Sequence, residues 1–167
     1  EKYGNNKTRT TPHVDYECLL ESVAEIGTAK NYTKVTDVTL LAFLRLGDVH
    51  TYKKWEMDKY IKQKAHDIGF YARKHKLLIV ELVSGIHVPD HNQSTIRKQN
   101  VVNTERSVEA MLSIRSTLKG VKTNIRVGRP PDEDFFYCAS AKHFLPDTGG
   151  FNSLCKEMNT RWNHLHP

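Results

Sequence analysis

Leu40-Leu41-Ala42-Phe43-Leu44 is an unbroken apolar run that ends in Arg45-Leu46-Gly47-Asp48. A strand with one wet face alternates apolar and polar residues, whereas a continuous run marks a strand covered on both faces, as inside a parallel sheet flanked by helices. A second run from Leu77 to Val83 repeats the pattern and closes on Ser84-Gly85. Between them Trp55, Tyr60, Ile61, Ala65, Ile68 and Ala72 recur at helical spacing, a crossover long enough to bring the chain back parallel. These segments point to an α/β fold: a Rossmann-like three-layer domain with a mostly parallel sheet.

The rest of the chain extends the alternation. Residues 1–13 read as a flexible polar leader and 14–167 as a single domain. Tyr16, Leu19, Leu20, Val23 and Ile26 define a first helix, with Gly27 placed to stop it. Lys53, Lys59, Lys62, Lys64 and Lys74 lie mostly off the apolar stripe of the second helix and read as its wet side. A polar loop from His87 to Gln99 leads into a helix carrying Val101, Val108, Met111, Leu112 and Leu118 on one face. A strand at Asn124 to Val127, a turn at Gly128-Arg129-Pro130-Pro131 and a strand at Phe135 to Ser140 follow. The last helix runs from about Gly150 to Trp162, burying Phe151, Leu154, Cys155, Met158 and Trp162.

At 167 residues, 38% hydrophobic and 26% charged, the chain can bury a real core. No apolar run approaches the ~18 residues of a membrane span, and no signal-peptide pattern opens the sequence. It begins at Glu1, as a processed chain or a piece of a longer one would. The net charge of +6 favours polyanionic partners, although the cations are scattered along the chain. Cys18, Cys138 and Cys155 make an odd count without CxxC spacing, which argues against a disulfide framework. Asn6-Lys7-Thr8, Asn31-Tyr32-Thr33 and Asn92-Gln93-Ser94 are sequons that matter only in a secreted chain, so the compartment stays open between secretory lumen and cytoplasm.

Chemistry concentrates at strand ends. Arginine suits a diphosphate because its planar fork donates two hydrogen bonds and keeps its charge, which makes Arg45 the leading site residue. Asp48 orients Arg45, caps the next helix or takes a proton. Gly149 and Gly150 open the last helix and let backbone amides approach an oxyanion, with Thr148, Asn152 and Ser153 as side-chain donors. Asp132, Glu133 and Asp134 form an acidic cluster of which one carboxylate can reach a ribose hydroxyl or a base amine, the other two being solvent charges.

Arg45, Gly47 and Asp48, with Asp134, Phe135, Lys142, His143 and Phe151, resemble the paired signatures of the GDP-fucose-using glycosyltransferase superfamily. The likeness spans roughly Val38 to Leu154, with Gly149-Gly150 where small hydroxyl residues usually stand. Phe43 stands where that superfamily commonly has histidine. The resemblance implies one half of a GT-B enzyme, the half that binds the donor. It implies Arg45 on the donor diphosphate, the loop Thr148, Gly149, Gly150, Phe151, Asn152, Ser153 sharing it, and Asp134 touching the nucleoside. Arg45 and Asp48 would be the catalytic pair in an inverting, metal-independent transfer of the sugar to a hydroxyl of a glycan or protein. No cofactor beyond the GDP-sugar donor is implied, and an acceptor-binding domain would lie elsewhere.

Other readings compete. His87 and Cys138 suggest a Cys-His hydrolase, but Cys138 falls in an apolar run that makes it a buried small hydrophobe. His87, Asp90 and His91 suggest a metal, yet Pro89 breaks the alignment. A non-catalytic nucleotide- or nucleic-acid-binding module rests on the positive charge, the lysine-rich helix from Lys53 to Lys76, and Tyr52, Tyr60 and Tyr71 as stacking groups.

Overall fold

The computed structural model describes residues 15–32, 34–46, 54–84 and 94–165, and for 54, 55 and 94–103 the backbone alone. Helices and strands alternate along the chain: α1 Tyr16–Ala29, β1 Thr39–Phe43, α2 Lys54–Lys74, β2 Ile79–Ser84, α3 Ser94–Thr117, β3 Lys122–Val127, α4 Pro131–Ala139, β4 His143–Leu145 and α5 Gly150–Leu165. The four strands form one parallel sheet in the order β3-β2-β1-β4. This is the Rossmann-like α/β architecture read from the apolar runs.

Period-two alternation divides the core. Leu40 and Ala42 of β1, and Leu44 just beyond it, face α2 and α3, packing with Ile68, Ala72, Met111 and Ile114. Leu41 and Phe43 face the other way, toward α1, α4 and α5, where they meet Val23, Phe136, Cys138, Cys155, Met158 and Trp162. All five residues of β1 are buried, which is why its sequence shows no alternation. Because β1 begins by crossing to β2 on one side and later receives β4 on the other, the strand order reverses between β1 and β4.

Four local expectations are corrected. The run Phe135 to Ser140 is the helix α4, and the fourth strand is His143–Leu145. Pro131 at the start and Asp132, Glu133 and Asp134 in the first turn are helix-opening signals. The following residues, buried from Phe135 to Ala139 between neighbouring helices and the sheet, erase the helical period. Gly27 does not stop α1, which continues to Ala29. It admits α4, since a Cβ there would stand 2.2 Å from the Phe136 ring. Helix α3 starts at Ser94, so the polar stretch to Gln99 is helical, and Leu112 is 40% exposed while Ala110 and Ile114 complete the buried stripe. Lys64 leaves the wet face of α2 for an ion pair described below.

The acidic cluster is paired throughout, although only Asp134 is buried and the Asp132 side chain stays 41% exposed. Lys30 Nζ and Tyr32 OH both donate to Asp132 at 2.7 Å, holding its carboxyl down to about 2 and fastening α1 to α4. The far end of α4 is completed by α5: the Asn159 side-chain amide donates to the carbonyls of Cys138, Ala139 and Ala141, and that of Asn163 to Ala141. These bonds cover the carbonyls at and just beyond the end of α4, where the helix leaves its last carbonyls without intrahelical partners.

Candidate anion-binding site at the switch point

In an open α/β sheet the reversal of strand order opens a crevice beyond the carboxyl ends of the strands. Here it lies between β1 and β4, and the chain brings Arg45 to it from β1 and the turn 146–150 from β4. The two sides are pinned by Asp147. Its Oδ2 accepts the Arg45 backbone N–H at 3.0 Å and the Tyr60 hydroxyl, and its Oδ1 accepts the Thr148 N–H at 2.8 Å and an ion pair from Lys64 Nζ at 2.7 Å. The carboxylate is 3% exposed. Burial pushes its pKa up, but Lys64, Tyr60 and the two backbone donors outweigh that and hold it below the usual carboxylate value. Burial, and then the Asp147 charge, push the Tyr60 hydroxyl up, so it stays a donor.

Asn152 locks the turn from the helix side. Its Oδ1 accepts the Asp147 N–H at 3.1 Å, and its Nδ2 lies 3.4 Å from the Thr148 carbonyl to which it donates. Gly149 has φ +106, a conformation that side chains strain to adopt, and the Arg45 side chain passes so close that a Cβ on Gly149 would meet Arg45 Cδ at 3.3 Å. Arg45 therefore lies directly over the turn that starts α5. The first intrahelical bond of α5 runs from the Ser153 N–H to the Gly149 carbonyl at 2.9 Å. The amides of Gly150, Phe151 and Asn152 precede it and point out of the helix end. Nothing stands within 4 Å of where a Gly150 Cβ would be, so the helix end is open at that point.

Of the residues expected here, Arg45, Thr148, Gly149 and Gly150 come together. Phe151 turns into the core, its ring 5.5 Å from Phe43 and 6.1 Å from Phe135. Asn152 is 4% exposed and committed to the turn, and the Ser153 hydroxyl donates back to the Gly149 carbonyl at 3.0 Å. Gly47 and Asp48 lie outside the described residues. Asp134 belongs to a different cluster, near β3. Arg126 donates from Nε to Asp134 at 3.0 Å and from Nη2 to Glu133 at 2.6 Å, and its guanidinium lies 4.3 Å over the Tyr137 ring. The Tyr137 hydroxyl in turn donates to Glu81 at 2.6 Å. Asp134 is 2% exposed and burial raises its pKa, so it anchors α4 to the sheet and is turned away from a nucleoside. Lys142 and His143 precede or open β4, where His143 is in register with Leu40, away from the carboxyl end that carries Arg45.

The residues that sequence reasoning missed are Asp147, Tyr60 and Lys64. Asp147 carries a local signal, an aspartate before Thr-Gly-Gly, a turn-forming context in which its side chain accepts the next backbone N–H. Tyr60 and Lys64 carry only their i, i+4 spacing beside the apolar stripe of α2. Ser84, at the end of β2, is fully buried and its hydroxyl finds no hydrogen-bond partner among the described residues. Cys138 is likewise fully buried, with burial raising its thiol, and His87 to His91 lie outside the described residues. Among the described residues no three His, Cys, Asp or Glu side chains converge as a metal site, and no helix is long and apolar enough to cross a membrane. Compared with known proteins, the chain matches no family model, no curated protein and no solved structure.

Proposed function

We propose that the chain binds the diphosphate of a sugar nucleotide in the β1–β4 crevice and acts as the donor-binding part of a glycosyltransferase that moves the sugar to a hydroxyl acceptor. The observation that carries this reading is the approach of the Arg45 side chain to Gly149, which sets a guanidinium beside the N-terminal end of α5. A guanidinium supplies paired donors and full charge, and a helix end supplies amides and a partial positive charge. Together they suit an anion with oxygens on two sides. In the inverting transfer the acceptor oxygen attacks the anomeric carbon as the diphosphate departs, and the same donors stabilise the charge gathering on the leaving oxygens. Lys64 neutralises Asp147 beneath the turn, so the buried carboxylate does not repel the ligand.

GDP-fucose is the first donor to test, from the resemblance of the Arg45 and Gly149-Gly150 segments. Phe43 is 5% exposed and packs in the core, so recognition of the base falls to other groups. That observation favours a second reading, a nucleotide-binding module without transfer activity. Calorimetric titration with GDP, GDP-fucose, GDP-mannose, UDP and UDP-sugars tests the binding claim. We expect selective binding that Arg45→Ala weakens by about 2 kcal/mol or more, the loss of charge-assisted hydrogen bonds. Equal affinity in the variant, or no binding by any nucleotide, would refute the site. Binding without release of GDP on adding hydroxyl acceptors would leave the second reading.

A further inference from the structure

Helix α2 carries a second surface that the crevice does not use. Ala65, Ile68 and Ala72 form its buried stripe. On the opposite side, Lys59, Lys62, Gln63, His66, Phe70, Arg73 and Lys74 are all exposed. At 3.6 residues per turn these seven fall within an arc of about 120° and run ~22 Å along the helix. The span 59–74 contains one carboxylate, Asp67, which falls outside that arc, accepts from Gln63 Nε2 at 2.8 Å and lies 3.4 Å from His66 Nδ1. Asp58 and Glu56 precede the span. The stripe thus carries four cations against two carboxylates at its edge, Asp67 beside Gln63 and His66 and Asp58 beside Lys59 and Lys62, whereas the other cations of the chain are scattered.

Its centre is aromatic. Phe70 is 57% exposed, and His66 stacks on it with ring planes 9° apart and centroids 6.5 Å apart. Folding gains little from this exposed phenyl ring, which has Arg73 and Lys74 one helix turn further on, whereas a base could lie on it. The Arg73 guanidinium folds back over Gly69, 3.2 Å from where a Cβ would stand, level with the Phe70 turn. Toward the N-terminal side the surface dips into a groove of about 510 Å³ lined by Asp58, Lys59, Lys62, Gln63 and His66. Of the stacking groups expected from the sequence, Tyr60 and Tyr71 are half-buried and unavailable, Tyr60 being committed to Asp147, and Tyr52 lies outside the described residues.

We propose that this face of α2 binds single-stranded nucleic acid, with a base stacked on Phe70 and His66 and phosphates on Lys59, Lys62, Arg73 and Lys74. The charge pattern fits a polyanion, and the exposed ring separates a strand with unpaired bases from other polyanions, which have no π-face to offer. A cationic stripe without the aromatic centre would be an ordinary solvated helix face.

The test is fluorescence anisotropy of a fluorescein-labelled twelve-nucleotide single-stranded DNA of mixed sequence, titrated with the full chain between 50 and 300 mM NaCl. Four phosphate-binding cations predict a slope of log K on log salt of about −2 to −3, with Kd in the micromolar range at low salt. Lys59→Gln with Lys62→Gln should flatten that slope by about 1 to 1.5. Phe70→Ala should weaken binding by about 5- to 100-fold at unchanged slope, the loss of one stacked base. All three positions are exposed, and circular dichroism checks that the variants fold. No binding at 100 μM protein in 50 mM salt would overturn the proposal. So would binding that Phe70→Ala leaves intact and heparin competes away, which would mean polyanion attraction only, or a slope that the lysine variant does not change.

Discussion

Replacing Asp147 by Asn would leave Lys64 without its counter-ion in a half-buried position and remove the charge from four hydrogen bonds and contacts that hold the crevice together. We expect a loss of about 2–3 kcal/mol in urea unfolding, since removing one member of a buried pair costs more than the pair contributes. The wild-type pH dependence has a definite sign. The folded pKa of Asp147 is depressed below 3.8, so its contribution is complete above about pH 4 and is lost as pH falls through the folded value. The neighbouring glycines separate two roles. Gly149→Ala should cost about 1–3 kcal/mol, because φ +106 is strained for alanine and its Cβ crowds Arg45. Gly150→Ala, with open space around it, should fall within about 0.5 kcal/mol of wild type in the same unfolding experiment. At this scale the sequence exposed Arg45 and the glycine pair, because an arginine closing an apolar strand and glycines opening a helix are local patterns. Tyr60 and Lys64 stayed hidden because their partner is 87 and 83 residues away, and no spacing rule reports a contact of that kind.

Among the elements, α4 shows how burial erases a helix's signature. Its period vanished because a nine-residue helix packed on several sides has no wet face to break the apolar run. The capping signals in Pro131 to Asp134 were present and outweigh the run when length is considered. Strand β4 was missed for the complementary reason: at three residues it is too short to show any alternation. It is steadied at its start by an aromatic group, His143 with His75 at 5.4 Å and Tyr71 at 6.3 Å between ring centroids. Burial, His75 and Lys142 depress the His143 pKa, against a weaker pull from Asp37. A base with a depressed folded pKa stabilises the fold fully above its unfolded value of 6.5, and that stability is lost as pH falls through the folded value. His75→Gln should therefore raise the His143 pKa, read by carbon-detected NMR titration, and soften the fall in melting temperature between pH 6.5 and 5. An unmoved His143 titration would show that the two rings are not coupled.

For the molecule as a whole, the two apolar clusters share one sheet, with alternate residues of β1 belonging to each. Damage on either side must then reach both. Met111→Ala in one cluster and Met158→Ala in the other should each cost about 2–5 kcal/mol, while Trp fluorescence and far-UV circular dichroism keep reporting one coincident transition. The fold class was legible because inner parallel strands advertise double burial in their composition, and the strand order was not, since nothing local encodes which neighbour a strand takes. Order of synthesis sets one more condition. The carboxamide of Asn159 reaches back to the carbonyls of Cys138, Ala139 and Ala141, so the end of α4 lacks these three bonds until α5 has been made. A nine-residue helix does not persist alone in water. On a ribosome, then, α4 leaves the exit tunnel before the residue that completes it: it can dock on α1 through Phe136, but the faces of Phe135 and Phe136 that Phe151 and Trp162 cover stay open to whatever binds apolar surface first until α5 follows.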